Sequence, residues 1–174
     1  MKRSFSLLLS LVTLLLVTPA FAGITQPLPA GTYHGTQLGY EISFPAGWYR
    51  IQPLAGITGD SFNNTADLAD NSSWVWVKTT SGDTINGSAI IRAVRGETDE
   101  DRFSVDRDYM VRQGGVQARA LEGNTTADGD PMRYYALAMP SPARHGILIL
   151  IVTTPPAAGR QQIQGILDSF RPAE

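Results

Sequence analysis

The sequence has no cysteine, only two histidines and no basic run, and each shortage removes a class of function. Without cysteine there is no disulfide framework and no lipoprotein attachment residue, so the core alone must hold the fold. A zinc site needs three or four closely spaced ligands, which two isolated histidines do not supply. A hydrolase would have only His34 and His145 as imidazole bases. The Gly-x-Ser-x-Gly elbow is absent, and Gly87-Ser88-Ala89 reads as the entry to a strand. Asp128-Gly129-Asp130 lacks the ligand ladder and terminal glutamate of a calcium loop and reads as a turn. No catalytic residue, metal or cofactor is therefore expected. Arg133, Arg144, Arg160 and Arg171 are spread without a run, which disfavours nucleic acid.

One long apolar run is present, from Phe5 to Val17, preceded by Lys2 and Arg3 and followed by Thr18-Pro19-Ala20-Phe21-Ala22. The charged start, the apolar stretch and the small residues Ala20 and Ala22 predict a cleaved secretory signal over residues 1–22. The run is too short for a membrane span, which needs about 20 apolar residues. The expected product is periplasmic or secreted and not membrane-spanning. Twelve basic residues against sixteen acidic then remain, with the charges interspersed.

Residues 23–31 carry Pro27 and Pro29 and read as an extended, loosely held lead-in to a single domain over 32–174. Strands are predicted over 32–37, 38–44 and 48–51, then a long polar loop over 53–73. Strands follow over 73–79 and 88–95, joined through the turn Ser81-Gly82-Asp83. Thr98 before Asp99-Glu100-Asp101 predicts a helix that Gly114-Gly115 ends. Three more strands are predicted over 116–121, 132–139 and 147–153, the last apolar on both faces and so central to its sheet. Ile163, Ile166, Leu167 and Phe170 form one stripe of a closing helix that begins after Pro155-Pro156. The class is α+β, a mainly antiparallel sheet with helices packed on it.

The candidate binding residues lie on the strand over 73–79 and in the loop before it. Trp74, Trp76 and Lys78 share one face and Val75 and Val77 the other. Asp60, Asn63 and Asn64 belong to the polar loop, where a surface contact is expected. Covered core and exposed partner surface are both open readings of the tryptophans. Asn63, Asn71, Asn86 and Asn124 each start an N-x-S/T triplet, and they read as loop asparagines.

Gly39-Tyr40-Glu41-Ile42-Ser43-Phe44-Pro45-Ala46-Gly47-Trp48 and Ile166-Leu167-Asp168-Ser169-Phe170-Arg171 resemble the opening and closing segments of PsbP-like and DcrB-like domains. The resemblance implies an α/β/α sandwich with no shared catalytic residues, whose members mostly bind or assist other proteins. It points to an exported accessory protein that engages another envelope or extracellular protein. A carrier of a small apolar ligand or lipid would need a closed apolar cavity. A hydrolase would need His34 or His145 beside a carboxylate and a hydroxyl in one cleft.

Overall fold

The computed structural model describes residues 25–52, 59–68, 72–82, 84–142 and 145–173. The expected signal segment and its cleavage point, parts of the 53–73 loop, Asn71, Asp83 and Arg144 lie outside the described residues. The strands are β1 (Thr25–Pro27), β2 (Gly31–Gly35), β3 (Tyr40–Phe44), β4 (Tyr49–Ile51), β5 (Asp60–Asn63), β6 (Trp74–Ser81), β7 (Asp99–Gln113), β8 (Val116–Ala127), β9 (Asp130–Ser141), β10 (Gly146–Thr154) and β11 (Arg171–Pro172). Helix α1 (Gly87–Arg95) follows β6, and α2 (Gly159–Ser169) follows β10.

An eight-stranded antiparallel sheet runs β1-β4-β5-β6-β10-β9-β8-β7, and a small sheet runs β11-β3-β2. β10 is central, as its unbroken apolar run requires: Leu148, Leu150 and Val152 enter one core and Ile147, Ile149 and Ile151 the other. The first core lies between the large sheet and a layer made of α2 and the small sheet. Tyr40, Ile42, Phe44, Phe62, Val75, Val77 and the α2 stripe fill it, and Trp48 closes its end against Phe44, with ring centroids 5.3 Å apart. The second core lies under α1, where Ile90 and Val94 pack on Leu121, Tyr134, Ala136 and β10. Helix, sheet and helix-plus-sheet layers make the expected α/β/α sandwich.

Two segments exchange roles relative to expectation. The 88–95 stretch is helical, because Asn86 caps the first turn by accepting the Ser88 N–H at 2.9 Å and Ile90 and Val94, one turn apart, bury together. The 98–113 stretch is the long strand β7, and Gly114-Gly115, both at positive φ, form the two-residue hairpin turn to β8. The loop over 53–73 contains a further strand, β5, and the lead-in is held by pairing of β1 with β4. Arg171 lies beyond the helix, in β11, where it bonds Glu41 of β3 at 2.7 Å.

Candidate functional site

Pairing register defines the face on which the tryptophans lie. Tyr49, Asn63, Trp74 and Thr153 form one row across β4, β5, β6 and β10, and Ile51, Ser61, Trp76 and Ile151 form the next. Val75 and Val77 point the other way and are fully buried in the first core. α1 contacts β7, β8, β9 and β10, so it covers the opposite end of this face. The rows at the β4–β6 end leave Tyr49, Ile51, Ser61, Trp74 and Trp76 half-buried. The two indoles stack nearly parallel, 7° apart in plane with centroids 5.5 Å apart, and Trp76 also packs on the second core. The result is a half-buried aromatic pair anchored on one side by core packing.

The other predicted site residues are committed elsewhere. Lys78 shares the tryptophan face but ion-pairs with Glu97 just past α1, tying that helix to β6, and burial holds its ammonium pKa below the ordinary lysine value. Asp60 is not on this face. It points into the first core opposite Val77, where it accepts bonds from Tyr40 Oη at 2.8 Å, Tyr33 Oη at 3.3 Å and Arg50 at 2.8 Å. Burial in strand pairing, unforeseen while this segment read as a loop, is the reason. Asn63 is fully buried: its Nδ2 donates to Ser72 Oγ at 2.7 Å, and its Oδ1 accepts the Thr65 N–H at 2.7 Å. Asn64 Oδ1 accepts the Ser73 N–H at 2.8 Å. Through these bonds both asparagines hold the backbone on either side of the β5–β6 connection.

The histidines are not brought together with a nucleophile in a cleft. His34 lies on the open face of the small sheet, its Nδ1 3.1 Å from Glu41, whose other oxygen accepts from Arg171. His145 sits exposed in the turn before β10, at φ 48°. Asp128 and Gly129, both at positive φ, are the hairpin turn between β8 and β9. No group of three metal-ligating side chains occurs among the described residues.

A polar site that the sequence reading did not single out lies between α2 and the sheet. Glu122 of β8 is almost completely buried and accepts from Tyr109 Oη at 2.5 Å and from Arg160 of α2, with Arg107 at 3.5 Å. Burial pushes its carboxyl up, but these three partners outweigh it and hold the pKa below the ordinary glutamate value. Arg160 lies over the Tyr135 ring at 5.3 Å. The cleft beside them, floored by Val111, Ala120 and Leu137, measures 80 Å³, well below the roughly 300–1,000 Å³ of a ligand pocket. Its sequence signal is that Glu122 is in phase with the inward-facing Ala118 and Ala120, so its charge had to meet a partner across the layer.

No protein-family model matches the chain, and no curated protein does. Among solved structures, cyanobacterial PsbP (CyanoP) from Synechocystis sp. PCC 6803 superposes with a TM-score of 0.59 at 16% identity, covering 86% of this chain and 92% of that one. LpqN of Mycobacterium tuberculosis, described as involved in cell envelope biogenesis, gives 0.53 at 13% identity with the same coverage of each chain, 86% and 92%. A structure from Bacteroides thetaiotaomicron VPI-5482 gives 0.52 at 12% identity, covering 84% of this chain and 50% of that one. The fold is therefore that of the PsbP-like domains.

Proposed function

We propose that this PsbP-like domain is an exported, non-enzymatic accessory protein that binds another protein of the envelope or extracellular space through the Trp74–Trp76 face. The single observation behind this is the parallel indole pair, half-buried on a sheet face of which α1 covers the opposite end. Buried tryptophan is a frequent anchor of interfaces because a large rigid ring gains contact area at little entropic cost. Here the stacking and the core packing of Trp76 hold the pair in place before a partner arrives. The N-terminal charged and apolar signature supports export, and the envelope role stated for LpqN is compatible with it. The small volume of the α2 cleft argues against a lipid occupying it.

The test is a photo-crosslinking residue at Ser61, between Ile51 and Trp76 in the second row, in the native host. A stoichiometric protein adduct that Trp74→Ala abolishes, with an unchanged circular dichroism spectrum, is expected; loss of a central anchor weakens binding by roughly 30-fold. Recovery of the bare chain, of lipid alone, or of an adduct indifferent to Trp74→Ala would overturn the assignment.

A further inference from the structure

We propose that the free edge of β7 is a docking strand for an extended, acidic peptide segment of a partner protein. This rests on the reading of the chain as a protein-binding domain, but the surface is separate from the tryptophan face, which lies toward the other end of the large sheet. β7 is the outermost strand of the large sheet among the described residues, so alternate N–H and C=O groups of its regular part face outward with no described strand beside them. From Arg107 opposite Glu122 to Gln113 opposite Val116 the register is unbroken, giving a regular template beyond the irregularity between Val105 and Arg107. An incoming strand can continue such a ladder by β-augmentation, with side-chain contacts supplying the selectivity.

The side chains of this segment show what that selectivity would be. On the α2 side every one is engaged: Arg107 and Tyr109 with Glu122, Val111 with the first core, and Gln113 with three carbonyls at the C-terminal end of α2. On the α1 side Asp108 is held bidentate by Arg119 at 2.8 and 2.7 Å. Of the segment's side chains, Met110 and Arg112 have no such partner among the described residues. Met110 is 50% exposed, the larger exposure of the two big apolar side chains that stand out from the surface. Arg112 is exposed and makes no ion pair among the described residues. Both line an open concavity of 460 Å³ with Val111, Gly115 and Gln117. Two residues apart on one face, they would read an apolar and an acidic side chain at alternate positions of the added strand. Within the regular segment, and with Asp106 neutralised by Arg133 and Asp108 by Arg119, Arg112 is the charge without an ion pair among the described residues, so an acidic segment is attracted there and a basic one repelled.

The test uses the folded chain and an eight-residue fluorescent peptide in which threonine alternates with valine and glutamate in turn, compared with the same peptide carrying lysine for glutamate. Anisotropy at millimolar protein should show the acidic peptide bound more tightly, with amide shifts and slowed hydrogen exchange confined to the outer amides of β7. Arg112→Glu should weaken the acidic peptide by roughly fivefold and reverse the preference, with the fold unchanged by circular dichroism. Equal binding of both peptides, no binding of either, shifts mapping to the tryptophan face, or β7-mediated self-association in place of peptide binding would each overturn the proposal. Trp74→Ala leaves this readout unchanged, so failure of one surface is distinguishable from failure of the other.

Discussion

Asp60 of β5 and Tyr40 of β3 are joined by a 2.8 Å hydrogen bond across the first core, linking the small sheet to the large one. Tyr33 of β2 and Arg50 of β4 complete the cluster, so four strands converge on one buried carboxylate. A buried charge is tolerated only when its lone pairs are met, and these three donors meet them. The Arg50 guanidinium also lies over the Tyr33 ring at 5.4 Å.

This cluster predicts a specific loss of stability in alkali. Burial first, then the neighbouring Asp60 charge, pushes the Tyr33 phenol up to about 12, and the same causes push Tyr40 further in the same direction. A raised phenol pKa means that the folded state keeps a proton the unfolded chain has released. The stabilisation is complete below the ordinary tyrosine value of about 10 and is lost as pH climbs through about 12. Tyr33→Phe should flatten the alkaline limb of the stability profile in denaturant titrations, and tyrosinate absorbance of the native protein should show one tyrosine ionising near its raised value.

Asp60→Ala tests the same cluster at neutral pH. It leaves two phenols and a guanidinium facing an apolar cavity, and it should cost about 3 kcal/mol, as breaking a buried pair does. Asp60→Asn keeps an acceptor but removes the charge opposite Arg50, and a loss of about 1–3 kcal/mol is expected. An equal, negligible loss in urea melts of both variants would refute the bracing role.

Of the carboxyls held below their ordinary values, Glu122 is the buried one that contributes to the acid limb. Its carboxyl is held below the ordinary glutamate value, so its contribution is present above that value and is lost as pH falls through the depressed one. Glu122→Gln should therefore flatten the decline in stability below about pH 4.5 and cost about 1–2 kcal/mol at neutral pH. The check is the pH dependence of the urea midpoint in both proteins.

What was legible in the sequence follows the strength of each local signal. The β10 run, the Tyr40–Trp48 opening and the α2 stripe were readable because their large apolar residues are buried where the periodicity places them. α1 and β7 were misread because two local signals competed. The alternation of Ala89, Ile91 and Ala93 suggests a strand, but the Asn86 cap and the Ile90–Val94 pair decide for helix. Thr98 and its acidic followers mimic a capping box, but the pairing of β7 with β8 overrides them. Of the candidate site, the face shared by Trp74 and Trp76 was readable from period two. The burial of Asp60 and Asn63 was not, since it depends on pairing with β6, eleven and more residues away.

The sharpest steric prediction concerns Gly123, at the point where β7 departs from regular register. Val105 pairs with Gly123, whereas Arg107 pairs with Glu122, so β7 carries an irregularity opposite the glycine. A Cβ added at Gly123 would overlap the Ser104 carbonyl oxygen and lie 2.8 Å from Tyr134 Oη and 2.7 Å from its ring. Backbone on one side and a fully buried ring on the other leave neither neighbour room to yield. Gly123→Ala should therefore cost about 3 kcal/mol or more, whereas Gly129→Ala, at a turn with open space around it, should lose only what its positive φ imposes, about 1 kcal/mol. Parallel urea melts check the difference. If Gly123→Ala proved the milder of the two, β7 would have to slide along β8 to relieve the overlap, and amide shifts along Ser104 to Arg107 would show it.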